Sequence, residues 1–295
     1  MDQCVALDVS LRKTSVCVLN SLGRVVTEAD VPSEPGALIS FIRARAPHAS
    51  RIGLESGPTS TWLWHALKAA GLPVICMDAR HAHAALSVRP IKSDRNDARG
   101  LAEMVRVGWF KEVQVKSLAA RERMALLGVR RRLVDIRVEI DGQIRGILKT
   151  FGRVLPKGLR SRFPDRVREA IDGHPVLGEI IEPTLRVLEA MRVQLRVYDR
   201  AVIQRARSED TARQLMSAPG VGTVVALAYI TGVEDPARFK RSSSVAAYFG
   251  MTPRRYQSGE IDMPGVSPSA ETVWYVAFCS KQPKCCSVGR RGPAH

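Results

Sequence analysis

Apolar residues are bunched into short β-branched runs at the start of the chain and spaced in sevens through its middle. Residues 4–9 and 15–19 read as strands, Ser21-Leu22-Gly23 as a turn, and 24–31 as a further strand. A helix is predicted over 36–45, a short strand over 51–55 (RIGLE), a helix over 59–70 ended by Gly71, and a strand over 73–77 (PVICM). Strands alternating with helices predict an α/β layer fold. The pattern then changes. Leu126, Leu133, Ile140 and Ile147 repeat every seven residues within 117–151, with Val129 and Ile136 between them. Leu188, Leu195 and Val202 do the same within 176–207, with Leu185 one turn ahead. Together these predict an antiparallel helical hairpin or coiled-coil arm, joined by a basic loop over 152–168. A smaller, mainly α-helical region starts near Ser217.

Composition adds one strong fact. The 295 residues carry a formal charge of +16 and a pI near 10.2, beside an ordinary hydrophobic fraction of 45%. A surplus that large predicts a polyanionic partner, nucleic acid before membrane. Six cysteines lack the spacing of a disulfide framework or a metal site, which fits a reducing cytoplasm. Neither a signal peptide nor a transmembrane span is expected. His81 and His83 have no cysteine partners, and Trp62 and Trp64 suit core or interface positions better than base stacking.

The candidate chemistry lies in acids at strand ends. Asp8 ends one strand, Glu55 ends another, and Asp94 and Asp97 open a helix in KSDRNDARG. Acids on adjacent strand ends converge at one edge of a sheet, and several hard oxygen ligands are what phosphoryl transfer needs to hold Mg²⁺. Each acid alone has a plainer reading. Asp8 is a turn residue, Glu55 a surface strand end, and Ser93 an N-cap whose helix favours Asp94 and Asp97 in its first turn. The set and its order point to a site; no single member does.

That order, Asp8 in LDVS, Glu55 in LESGPTS, then KSDRNDARGLAE, resembles the IS110-family transposases. SAPGVGTVVALAYITGVEDPARF and SVAAYFGMTPRRYQSG resemble the family's carboxy-terminal domain, so the resemblance covers about residues 4–264. It implies a RuvC-like, RNase H-type domain over 1–112, a helical coiled-coil region over 113–210, a transposase domain over 211–264 and an atypical tail over 265–295. It implies Mg²⁺ at Asp8, Glu55, Asp94 and Asp97, with Ser258 of the RRY-x-SG motif as nucleophile. A serine hydroxyl can attack a phosphodiester and conserve its energy in a phosphoserine link. Arg254 and Arg255 are placed to hold the phosphate, and Gly259 to admit the backbone closely. Gly220 and Gly222 resemble a helix-hairpin-helix turn that receives a phosphate on backbone amides. Ser242-Ser243-Ser244 reads as a helix cap.

The resemblance further implies a guide RNA, a dimeric or tetrameric assembly in which Ser258 of one subunit completes the carboxylate site of another, and a bacterial cytoplasmic protein at the nucleoid when bound to DNA. The basic stretch 121–168, with Arg130, Arg131 and Arg132, suits a nucleic-acid backbone, and the arginines around Asp94 and Asp97 are expected to face nucleic acid. After Ser258 the chain departs from the family. EIDMPGVSPSAETVWYVAFCSKQPK lacks the expected amphipathic helix, and one permitted codon choice read in a shifted frame restores it, so a frameshift from about residue 265 is expected. Trp274, Tyr275 and Phe278 would then form an exposed patch. Two rival functions stay open: a RuvC-like structure-specific nuclease using the carboxylates alone, and a truncated remnant that binds nucleic acid without recombining it.

Overall fold

Cys4, Val5, Ala6 and Leu7 of Gln3–Val9 (β1) are apolar and buried in succession, so this strand is covered on both faces and forms the middle of a sheet. The computed structural model describes residues 2–87, 93–249, 254–258 and 261–265, the last two ranges as backbone alone. Two compact units, Met1–Lys116 and Ser117–His295, make up the chain. In the first, Lys13–Asn20 (β2) and Val25–Pro32 (β3) follow β1 as an antiparallel meander. Gly23, at φ +78°, makes the turn between β2 and β3 in a conformation that disfavours a side chain. Then come Pro35–Arg45 (α1), Ala49–Glu55 (β4), Ser60–Ala69 (α2) and Val74–Met77 (β5). Strands β4 and β5 extend the sheet in parallel, giving the order β3-β2-β1-β4-β5.

Two more helices close the unit, Ala79–Leu86 (α3) and Asp94–Val107 (α4). The sheet has a core on each face. Val5, Leu7, Ile52 and Leu54 meet Leu38 and Ile42 of α1 and Leu63 and Leu67 of α2. On the other face Cys4, Ala6, Cys17 and Leu19 meet Ala98, Leu101, Ala102 and Val105 of α4. Cys4, Cys17 and Cys76 are buried and form no disulfide among the described residues.

In the second unit, Leu118–Thr150 (α5) starts at the Ser117 cap, whose hydroxyl accepts from the Ala120 amide at 3.1 Å. Phe163–Ile171 (α6) and Pro175–Ser208 (α7) follow. Asp210–Met216 (α8), Thr223–Val233 (α9), Ser242–Tyr248 (α10) and a hairpin of Arg254–Ser258 (β6) and Ile261–Gly265 (β7) complete the described chain. The expected α/β architecture with a long helical hairpin is borne out.

Four details differ from expectation. The loop expected over 152–168 contains the start of α6, because Phe163, Val167 and Ile171 recur at helical spacing and are buried. The seam of α5 is rotated by one residue. Leu127, Ile144 and Leu148 are fully buried, whereas Leu126, Ile140 and Ile147 are only partly so. The reason is that α5 is gripped by different neighbours at its two ends, α9 at one and α6 at the other. The cap of α10 is Arg241, so Ser242 stands inside the helix. Finally, β6 and β7 add a hairpin to a region expected to be mainly helical. The altered tail and its aromatic patch lie outside the described residues.

Candidate active site

Strand register brings the first two acids together. Leu7 of β1 pairs with Leu54 of parallel β4, so the next residues along, Asp8 and Glu55, stand side by side at neighbouring strand ends. Adjacent strands run about 4.8 Å apart. Side chains alternate across a strand. Leu7 and Leu54 face α1 and α2, so Asp8 and Glu55 face α4.

The segment after Glu55 is pinned on several sides. Ser60 donates its hydroxyl to the Glu55 carbonyl, the Ser56 amide donates to the Met77 carbonyl at 2.8 Å, and the Ser56 hydroxyl accepts from the Ala79 amide at 3.1 Å. These bonds tie the end of β4 to β5 and to the start of α3, which is itself capped by Asp78.

Helix α4 brings the third acid. Ser93 caps it, accepting from the Asn96 amide at 3.3 Å, and Asp94 and Asp97 occupy its first turn. Ser93 is thus the N-cap that the capping reading expected. Asp94 is exposed, while Asp97 is half-buried toward the sheet. Burial first, and then the charges of Asp8 and Asp97, push the Glu55 carboxyl up to about 7. Three acids from β1, β4 and α4 therefore share one electrostatic environment, and Asp94 has no part in raising Glu55.

Close descent of α4 onto the sheet depends on Gly53. A Cβ built there would lie 2.3 Å from Cγ2 of Val105. The hydrogen in its place lets the helix lie near enough for Asp97 to influence Glu55.

Both arginines of KSDRNDARG are paired with an acid of the sheet while keeping part of their surface exposed. Arg95 Nε donates to Glu28 Oε2 at 2.6 Å, and Arg99 donates to both carboxylate oxygens, its Nη2 at 2.9 Å. Glu28 lies on β3, with its side chain only 7% exposed. Arg99 and then Arg95 hold its carboxyl down at about 2. Burial, reinforced by Glu28, pushes the neighbouring Cys17 thiol up to about 12, which leaves it inert. Glu28 escaped sequence reading. Its signal was an acid at a β3 position paired across the ladder with buried Cys17, together with two arginines four apart on α4.

The carboxylates of Asp8, Glu55, Asp94 and Asp97 are hard oxygen donors, the ligand type that suits Mg²⁺. Among the described residues, no three of His, Cys, Asp and Glu are already drawn into a cation-holding group.

The remaining expected residues belong to the second unit. Gly220, at φ +88°, and Gly222, the cap of α9, form the turn between α8 and α9. Ser258 is the last residue of β6, opposite Ile261, and Arg254 and Arg255 open that strand. Their side chains, with Lys92 and Gly259, lie outside the described residues. Arg130 is paired with Asp199 at 2.6 Å and Arg131 with Asp135 at 2.8 Å, while Arg132 is mostly exposed, 3.8 Å from Glu139. In the basic connection, Arg168 bridges Glu182 and Glu189, and Arg153 donates to the Ala170 carbonyl. Arg168 thus braces α6 against α7, and Arg153 ties the connection after α5 to α6.

Comparison with known proteins places the chain. Residues 5–152 match the IS110 DEDD model, described as a transposase, and residues 212–271 match the transposase IS116/IS110/IS902 family. The chain is 28% identical over 194 residues to the transposase for insertion sequence element IS1111A of Coxiella burnetii, covering 64% of this chain and 52% of that one. It is 27% identical over 177 residues to the transposase for insertion sequence element IS1328 of Yersinia enterocolitica, covering 58% and 53%. It thus spans about half the length of the curated relatives it matches. The Thermus thermophilus RuvC structure aligns with 37% of this chain and 99% of its own at 14% identity, but its TM-score of 0.28 carries no argument. Matched by one family model over the segment that holds all four acids and by a second over the segment that holds Ser258, the chain belongs to the IS110 family of transposases.

Proposed function

We propose that this protein is a DNA recombinase of an insertion sequence, cutting and rejoining DNA with the carboxylates Asp8, Glu55, Asp94 and Asp97 and the nucleophile Ser258. The observation that carries the reading is the meeting of Asp8 and Glu55 at adjacent strand ends beneath Asp97 of α4. Mg²⁺, when bound, would supply positive charge to neutralise the phosphodiester. Asp8, Glu55 and Asp97 would hold it, with Asp94 of the same helical turn as the fourth ligand of the proposal. The Ser258 oxygen forms a bond to phosphorus as the bond to a sugar oxygen breaks, and the proton lost by the serine ends on that released sugar oxygen, making it a hydroxyl. Attack by a new sugar hydroxyl reverses the step and joins a new partner. Arg254 and Arg255 belong to the same motif as Ser258, and their role in the proposal is to steady the phosphate. Gly220 and Gly222 offer it backbone amides.

The family resemblance supports three further parts of the proposal: a guide RNA, a dimer or tetramer that brings Ser258 of one subunit to the acids of another, and a place beside DNA in the bacterial cytoplasm. Among the described residues, no helix is long and apolar enough to cross a membrane. The test is a cleavage and strand-exchange assay with element-end DNA and Mg²⁺. Ser258→Ala should abolish strand exchange and the covalent adduct. If Ser258→Ala still cleaves, the junction-nuclease reading takes over. If the wild type binds DNA and never cuts it, the chain is a remnant.

A further inference from the structure

The helical hairpin has a separate apolar core at each end and a polar stretch between them, where Arg130 of α5 pairs with Asp199 of α7. At one end Leu127 of α5 and Val202 and Ala206 of α7 share a core with α9. At the other, Ile144 and Leu148 of α5 and Leu185 and Leu188 of α7 share a separate core with Phe163 of α6. Between them lies a cleft of about 1070 Å³ lined by eight arginines and four carboxylates. Two helices of this length would ordinarily close such a stretch with apolar side chains.

The arginines fall into two groups. Arg130, Arg131 and Arg132 have the carboxylate partners already described, and Arg192 stands 4.0 Å from Asp141. Arg145 donates to the carbonyls of Leu155 and Pro156 and covers the ring of Phe163. Arg160 and Arg196 have no ion pair among the described residues, and Arg137 makes none either but acts on the Asp141 carboxyl through its charge. Arg160 and Arg196 are exposed. Arg160 also holds φ at +46°, a costly backbone setting that ligand-binding segments often keep.

We infer that this cleft is a second nucleic-acid site, in which Arg137, Arg160 and Arg196 take the phosphodiester backbone without reading bases. The lining supports backbone over bases. Its aromatic ring, Phe163, is 1% exposed and is covered by Arg145 and Arg192, so it offers no face for stacking. The inference rests on the proposed DNA-processing role and adds a site remote in sequence from the acids and from Ser258.

The experiment measures binding of the full chain to duplex DNA and to single-stranded RNA across a salt series. Each phosphate contact contributes a slope of about 0.9 for duplex DNA and about 0.7 for single strands in log K against log salt. The triple variant R137Q/R160Q/R196Q should lower the slope by about 2 to 3 on the preferred nucleic acid. R137K/R160K/R196K should keep it, and R45Q/R200Q/R207Q, which removes equal charge elsewhere, should change it by less than about 1. An unchanged slope in the cleft triple, or an equal loss in the control triple, overturns the inference. If the glutamine triple melts early, arginine-selective labelling of the wild type decides. Bound nucleic acid should protect Arg160 and Arg196 and leave Arg45 reactive; equal labelling with and without nucleic acid overturns the site. Failure of the wild type to bind either nucleic acid would sink the DNA-processing reading itself, whereas full strand exchange and a normal salt slope in the cleft triple would sink this site alone.

Discussion

Arg99 of α4 grips Glu28 of the sheet edge through two guanidinium nitrogens. The pair fixes the rotation of the helix whose first turn carries Asp94 and Asp97. Glu28→Gln keeps the shape and removes the charge that Arg99 and Arg95 share. We expect a melting temperature a few degrees lower, since one charge-assisted network is lost near a partly solvated surface. Strand exchange should fall further than stability explains. Thermal melts beside activity check this; unchanged activity would show that the grip does not position Asp97.

The same pair sets an acid limit. Its partners hold Glu28 at about 2, below the ordinary carboxylate range near 4.3. A depressed carboxyl contributes stability that is fully present above the unfolded value and is lost as pH falls through the folded one. Wild type should therefore lose stability relative to Glu28→Gln between roughly pH 4.5 and 2. Parallel melts of the two proteins at stepped pH give the measurement.

Glu55 behaves in the opposite sense. Its carboxyl is raised from 4.5 to about 7, so the fold favours the protonated form and loses stability as pH rises through that window. Glu55→Gln should flatten the pH dependence between about 4.5 and 7. Mg²⁺ needs the carboxylate, so it should raise the melting temperature more at pH 8 than at pH 5.5. Equal Mg²⁺ effects at both would argue against Glu55 as a ligand.

Asp94 and Asp97 should separate. Asp97→Asn removes one of the charges that raise Glu55 and should lower its titration midpoint, while Asp94→Asn should leave that midpoint in place. Carboxyl titration followed by NMR distinguishes them. A shift of equal size from both substitutions contradicts the geometry described.

Gly53→Ala drives a methyl group into Val105. Overpacking of this kind costs about 1–3 kcal/mol. It should lift α4, reduce the coupling of Asp97 to Glu55 and lower activity. Adding Val105→Ala makes room, so the double variant should recover activity more than additivity allows. No recovery would mean that Gly53 matters for another reason.

The β-strands of the first unit and the two long helices were legible because their apolar residues follow simple periods. Asp8 and Glu55 were legible because each ends such a run. Other features depend on distant partners. The seam of α5 could not be read from α5 alone, since whether Leu126 or Leu127 is buried depends on α9, about a hundred residues later. Glu28 lies 71 positions from Arg99, so local spacing gave two arginines without their acid. The cleft is defined by apolar contacts that two helices fail to make, which neither helix's sequence announces.

The hairpin's two separate cores have a mechanical consequence. Helices α5 and α7 act as beams pinned at both ends, and a load applied at mid-span can be taken up by gentle bowing along more than thirty residues. The pairs Arg130–Asp199 and Arg192–Asp141 cross that span, so its bending is resisted by contacts that salt weakens while the apolar anchors keep their grip.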